Sequence, residues 1–318
     1  MRFSVCIAVF ACLGAAAPPA LALAPGNHAL RVSVGSLERH YLVHVPPAGK
    51  AKPAGKPALV LNFHGGGAHA RAHQRYVRMD ALADRERFLV AYPDGTGPLQ
   101  GMLLTWNGGA CCGPAAAAQT DDVGFVRALL DDLAQRHPYD RTRVYATGLS
   151  NGAMMSYRLA VELSDRIAAI APVAGSMVVQ HFTPARPVPV MHIHSMDDAI
   201  ALYQGGLASP FPLANSRVLH PPVEERLGEW ARANGCGATP EATARREWIA
   251  AGGALHSATL YAYPGCRAET LLWKLTGAGH VWPGGVLDYL PLLLGPGTRV
   301  IDANQEMWRF FSRHRLPQ

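Results

Sequence analysis

The sequence predicts an alternating α/β fold, with a mostly parallel central sheet and helices on both faces. Two observations carry this expectation. Short apolar runs recur at Ala58 to Phe63, Phe88 to Tyr92, Val144 to Thr147, Ile167 to Val173, Val188 to Ile193 and Leu271 to Leu275. Uninterrupted runs of this length suit strands covered on both sides. Between them lie helical patterns, clearest at Val123 to Gln135, Gly152 to Leu163, Val223 to Ala233 and Asn304 to Arg313. Strands alternating with helices imply parallel pairing. Ahead of the first run, His28 to Val34 and His40 to Val45 alternate in polarity around Gly35-Ser36 and read as an antiparallel pair.

The composition supports a packed domain. Of 318 residues, 49% are hydrophobic and 16% charged, enough apolar surface for a core and too little charge for a disordered chain. Gly 32 and Pro 25 follow no triplet period, so a collagen-like fibre is excluded. No repeat at solenoid spacing is present. The net charge of +6 is mild and its basic residues are scattered, so no nucleic-acid partner is expected. Residues 200–222 are rich in Gly and Pro and read as a long loop at a pocket rim, and Lys50 to Lys56 as a surface loop.

The N-terminus reads as an address. Met1-Arg2 precedes an apolar run from Phe3 to Ala17, and Ala20-Leu21-Ala22 is a small-x-small cleavage pattern. This predicts a signal peptide over residues 1–22, an exported protein and one catalytic domain over residues 23–318. Removing the leader takes away one Arg and no acid, which leaves +5. It also removes Cys6 and Cys12. The remaining even set, Cys111, Cys112, Cys236 and Cys266, suits disulfides in an exported chain. Cys111 and Cys112 are adjacent and either bridge each other or stay reduced. Cys236–Cys266 is the expected structural staple.

Three strand ends carry the chemistry. Gly148-Leu149-Ser150-Asn151-Gly152 is a GxSxG pattern between the strand Arg143 to Thr147 and the helix from Ala153. So sharp a strand-to-helix turn needs glycines on both sides, and it lifts the serine hydroxyl to a helix N-terminus. A serine needs a base, and histidine is neutral near pH 7. His280 sits in the Gly-rich loop Gly277 to Gly285, just past the last apolar run. In the α/β-hydrolase order the acid lies between nucleophile and base. Asp197 and Asp198 follow the run ending at Ile193, and Asp198 is the first choice with Asp197 the alternative. An oxyanion hole needs two N–H donors; Asn151 supplies one, and Gly66 of His64-Gly65-Gly66-Gly67 the other.

With these residues assembled, the chain resembles the secreted poly(3-hydroxybutyrate) depolymerase and feruloyl esterase family of α/β hydrolases. The resemblance covers about residues 30–315 and rests first on Arg143 to Met155 and on Gly279-His280-Val281-Trp282-Pro283-Gly284. Trp106-Asn107, Cys111-Cys112-Gly113 and Asp121 to Phe125 support it. It implies an acid four residues after a strand histidine; His194 plus four is Asp198. Where the family has His-Gly-Thr-x-Asp-Pro and Val-Pro-Tyr, this chain has His194-Ser195-Met196-Asp197-Asp198-Ala199 and Ala201-Leu202-Tyr203.

Asp121 and Asp122 are read as caps at a helix N-terminus. Trp106 and Trp282 either line the substrate pocket or belong to the core. His192 and His194 share a strand face, which leaves a metallohydrolase as a rival, with a non-catalytic surface-binding protein as a second. The resemblance implies a serine carboxylic-ester hydrolase that needs no cofactor or metal. A monomer is expected, its partner a small or polymeric ester. No adsorbing module is expected beside the domain, an expectation that favours soluble or amorphous 3-hydroxyalkanoate esters, with hydroxycinnamoyl or acetyl esters of plant polysaccharide as the alternative.

Overall fold

The computed structural model describes residues 22–49, 55–99, 101–208 and 217–317. The expected leader therefore lies, apart from Ala22, outside the described residues. The first half of the chain begins with strands β1 (Gly26–Val34), β2 (Leu37–Val45) and β3 (Leu59–Phe63). Helices α1 (Ala70–Val77) and α2 (Asp80–Glu86), strand β4 (Leu89–Pro93) and helices α3 (Gly113–Ala117) and α4 (Asp122–Arg136) come next. The middle is β5 (Val144–Leu149), α5 (Asn151–Glu162), β6 (Ala169–Val173), β7 (Val190–Ser195), β8 (Gly206–Leu207), β9 (Leu219–His220) and α6 (Val223–Ala233). The last part is β10 (Glu241–Ile249), β11 (Leu255–Ala262), β12 (Thr270–Thr276), α7 (Pro291–Leu294) and α8 (Ala303–Phe311).

Ten strands form one sheet in the order β1-β2-β4-β3-β5-β6-β7-β12-β11-β10. The six strands from β4 to β12 are parallel. Antiparallel pairs flank them, β1-β2 on one side and β11-β10 on the other. The central strands are buried along their whole length. Helices on both faces are the cause, since they leave no polar side for alternation to mark.

Strand alternation divides the core in two. Leu59, Leu61 and Phe63 face α4, α5 and α6 through Phe125, Leu129, Leu159 and Trp230. Val60, Val90 and Tyr92 face α1, α2 and α8 through Val77, Leu82, Met307 and Phe310. With both faces covered, the connecting loops gather at the strand ends.

Several elements depart from expectation. Helices α1 and α2, eight and seven residues long, fall where the sequence predicts no clear helix. β10 and β11 fall where the sequence predicts no strand; β10 is an exposed edge strand bearing Arg245, Arg246 and Glu247, and charge on such an edge discourages pairing with another chain. The loop expected over residues 200–222 contains the small β8-β9 ladder, with residues 209–216 outside the described set. Asp121 caps α4, its carboxylate accepting from Gly124 N at 2.7 Å. Asp122, also expected as a cap, is instead a buried ion-pair partner of Arg39 at 2.7 Å, and its second oxygen accepts from Asn107 N at 2.8 Å. Cys236 and Cys266 are bridged, tying the end of α6 to the β11-β12 connection. Cys111 and Cys112 are joined to each other across a cis peptide bond.

Candidate active site

Ser150 occupies the turn between β5 and α5 with φ 58° and ψ −119°. A residue with a side chain rarely adopts this conformation, and the surroundings must enforce it. Ser150 N donates to Val173 O at the end of β6 (2.8 Å), and Ser150 O accepts from Ala153 N (2.9 Å) and Met154 N (3.1 Å). A Cβ on Gly148 would stand 2.6 Å from Phe63 O and from the Gly152 carbonyl carbon, and one on Gly152 would strike Phe63 O. The two glycines are what let the turn pass this close to β3.

Gly66 lies beside the start of α5: a Cβ built on it would stand 3.7 Å from Asn151 Cβ. Gly67 N donates to Leu104 O at 2.8 Å and Ala68 N to Gly65 O at 3.1 Å. Gly66 N–H has no backbone acceptor among the described residues. Asn151 opens α5, so its N–H has no acceptor inside the helix. Its side chain grips the neighbouring loop, Oδ1 accepting from Trp106 N (2.6 Å) and Nδ2 donating to Trp106 O (2.9 Å). Gly66 and the residue after the serine, Asn151, are therefore neighbours, and neither N–H has a backbone acceptor among the described residues, which is the kind of donor an oxyanion hole uses.

Asp198 follows β7 and His280 follows β12, its immediate parallel neighbour. His280 Nδ1 lies 2.7 Å from Asp198 Oδ2. The other carboxylate oxygen, Oδ1, accepts from Ile200 N and Ala201 N, both at 2.8 Å. His194 Nε2 approaches Oδ2 at 3.2 Å. Burial alone pushes the Asp198 carboxyl pKa up, but the charge of His280 and hydrogen bonds from His194 and His280 outweigh it. The net effect holds the carboxyl well below the usual carboxylate range. Asp197 points elsewhere, its Oδ2 accepting from Gly277 N at 2.6 Å. With Ser195 Oγ donating to Ala278 O, this stitches the β7 and β12 loops together. His280 N donates to Leu294 O at 2.6 Å, which anchors the loop to α7.

Ser150, Asp198 and His280 thus stand at the C-terminal ends of three strands of one parallel block, β5, β7 and β12. Open α/β sheets build their sites at this edge. Trp106 and Trp282, left open between pocket and core, are interior residues at 0% and 2% exposure. Trp106 Nε1 donates to His64 O at 3.0 Å, and Trp282 Nε1 to Asn304 Oδ1 at 3.0 Å. Both indoles brace loops from behind rather than face an opening. His64 is also interior; Gly95 N donates to its Nε2 at 3.0 Å, and burial lowers its pKa to about 4.

Sequence reasoning missed two parts of this neighbourhood. His220 on β9 is buried and electrostatically coupled to Asp198, His280 and His194, and burial lowers its pKa to about 4. Tyr157 Oη on α5 lies 2.9 Å from His192 Nδ1 on β7. Only spatial proximity links them to the site, and neither carries a motif. No described helix is long and apolar enough to cross a membrane.

The sheet order, the strained serine turn and the position of the site define an α/β hydrolase. A model of the family described as esterase PHB depolymerase matches residues 40–226, and the chain belongs to this family of esterases. "Putative esterase NocK" of Nocardia uniformis subsp. tsuyamanensis is 31% identical over 284 residues, covering 85% of this chain and 78% of that one. Feruloyl esterase B of Piromyces equi is 30% identical over 189 residues, covering 58% of this chain and 33% of the relative's own length. Among solved structures, an acetyl xylan esterase from Aspergillus awamori superposes with a TM-score of 0.54. It covers 86% of this chain and 94% of that one at 15% identity, a likeness of fold.

Proposed function

We propose that the protein is an exported serine esterase in which Ser150, His280 and Asp198 form the catalytic triad. The observation that carries this is the 2.7 Å contact between His280 Nδ1 and a buried Asp198, on loops at the same C-terminal sheet edge as the Ser150 turn. With Nδ1–H directed at the carboxylate, the Nε2 lone pair of His280 is available to the serine hydroxyl. Ser150 Oγ attacks the ester carbonyl while His280 takes its proton, and the N–H groups of Gly66 and Asn151 hold the tetrahedral oxyanion. His280 then gives the proton to the leaving alcohol. Water, deprotonated by the same imidazole, clears the acyl-serine.

For substrate we propose soluble or amorphous 3-hydroxyalkanoate oligoesters, a reading supported by the family description. Feruloyl and acetyl esters of plant polysaccharide form the second reading, favoured by the fungal relatives named as feruloyl and acetylxylan esterases. Export through a leader ending at Ala22 belongs to the same proposal; N-terminal sequencing of the released protein should begin at Leu23, and a released chain that keeps Met1 would overturn it.

Ser150→Ala tests the core of it. Turnover of a p-nitrophenyl short-chain ester should fall on the order of 10³-fold or more. A folded variant of near-normal turnover removes the assignment. The unsubstituted enzyme assayed beside it on 3-hydroxybutyrate oligomers, methyl ferulate and acetylated xylan ranks the substrate readings; oligomers hydrolysed most slowly overturn the first.

A further inference from the structure

We propose that Tyr157, His192 and His194 form a directional hydrogen-bond chain behind Asp198, positioning the carboxylate and setting how firmly it holds the Nδ1 proton of His280. This rests on the triad reading above. Tyr157 Oη lies 2.9 Å from His192 Nδ1, and His192 Nε2 lies 3.1 Å from His194 Nδ1. His194 Nε2 lies 2.8 Å from Ala201 O and 3.2 Å from Asp198 Oδ2. The chain runs unbroken from α5 through β7 to the loop after β12, and all five side chains are buried.

The partners fix the direction. His194 Nε2 faces two acceptors, a carbonyl and a carboxylate, so it carries the proton. In a neutral ring Nδ1 is then an acceptor, and it accepts from His192 Nε2–H. His192 Nδ1 is in turn left to accept from the Tyr157 hydroxyl. Tautomers assigned in this way from the network give Tyr157, His192 and His194 one proton each, and every one of those protons an acceptor. Burial and the neighbouring His194 hold the His192 pKa well below its ordinary value, consistent with a neutral ring.

Two imidazoles buried in series are costly to desolvate, and an apolar pair would fill the same strand positions without that cost. Their physical effect falls on Asp198. Each N–H directed at a carboxylate shares its charge and weakens its pull on the other donors. If Tyr157 no longer donates, His192 Nδ1 loses its partner and His192 Nε2–H becomes a weaker donor to His194. His194, held in its tautomer by Ala201 O and Asp198, is then less polarised, and its N–H is a weaker donor to the carboxylate. The carboxylate then holds the His280 proton more tightly.

Other titratable groups surround the chain. His220, on β9, is near enough to Asp198, His194 and His280 to interact with them electrostatically. The Tyr203 ring meets His194 edge-on at 5.6 Å, while its hydroxyl donates to Glu224 of α6 at 2.8 Å. Lys274 of β12 also pairs with Glu224 at 2.8 Å. Burial, with Tyr263 nearby after β11, pushes the Tyr157 hydroxyl pKa up. Asp197 is turned to Gly277.

The test compares kcat/KM against pH for the unsubstituted enzyme, Tyr157→Phe, His192→Leu and His192→Gln, using a p-nitrophenyl short-chain ester. Tyr157→Phe and His192→Leu should move the acid limb to higher pH by about half a unit, roughly a threefold loss at any pH on that limb. His192→Gln can accept from Tyr157 and donate to His194, and should bring the limb back toward the unsubstituted position. A limb unmoved in both disrupting variants, or moved to lower pH, overturns the proposal. If His192→Leu does not fold, Tyr157→Phe and ¹⁵N-histidine NMR of the unsubstituted protein decide. The spectrum should show His192 and His194 both protonated on Nε2 and unprotonated on Nδ1, and the opposite tautomer at either ring overturns the chain. Full turnover in Ser150→Ala would remove the triad reading itself, whereas an inactive Ser150→Ala with an unmoved limb removes only the chain.

Discussion

Asp198→Asn removes one charge and keeps the volume, and the hydrogen bonds around the carboxylate determine how the site responds. Oδ1 accepts from two backbone amides, Ile200 N and Ala201 N, which cannot reverse. The carboxamide oxygen must stay on that side, so its NH₂ faces His280 Nδ1 and His194 Nε2 where Oδ2 stood. Two N–H groups cannot both face an NH₂. The simplest relief is transfer of the His280 proton to Nε2, which presents a hydrogen to Ser150 in place of a lone pair. A triad base locked in the wrong tautomer loses on the order of 10⁴ in kcat, about 5 kcal/mol of barrier. In Asp197→Asn the side chain still accepts from Gly277 N, now without charge. That costs about 1 kcal/mol of stability and less than about tenfold in turnover. The assay is kcat and KM on p-nitrophenyl butyrate, with a thermal melt to show that each variant is folded. A folded Asp198→Asn that keeps a tenth of its activity, or an Asp197→Asn that is the more crippled, refutes the reasoning.

Two further outcomes concern stability. His64 is held neutral down to about pH 4 in the fold, whereas an unfolded histidine binds a proton near 6.5. Between those values the unfolded chain binds more protons, so stability is full above about pH 6.5 and declines as pH falls. His64 alone accounts for ~2 kcal/mol of loss by pH 5; urea unfolding midpoints equal at pH 7 and pH 5 would contradict this. Asp122→Ala leaves the Arg39 guanidinium buried without its carboxylate, which should destabilise the fold by about 3–5 kcal/mol. A denaturation curve within about 1 kcal/mol of the unsubstituted protein would show that Arg39 finds water or another partner.

Legibility in the sequence obeys physical rules of locality. The buried strands β3 to β7 and β12 announce themselves because apolar side chains on both faces leave uninterrupted runs. The nucleophile turn is visible because glycines on either side of Ser150 answer a local steric demand. β10 is hidden because an edge strand facing water carries Arg245, Arg246 and Glu247 in place of an apolar pattern. Asp122 misleads because a carboxylate at a helix start looks the same whether it caps the helix or meets Arg39, 83 residues away in the chain. Tyr157 and His220 give no signal at all. Their placement depends on the packing of α5 and β9 against the β7 and β12 loops, which no spacing along the chain encodes.

The interior indoles have a spectroscopic consequence. Trp106, Trp230, Trp273 and Trp282 are all shut away from solvent. Emission from these four should therefore be blue-shifted, resist quenching by iodide and move to the red only when the chain opens, while the part-exposed Trp248 and Trp308 supply a quenchable fraction. Fluorescence then serves as a gauge of whether a substituted enzyme is intact, independent of whether it turns over ester.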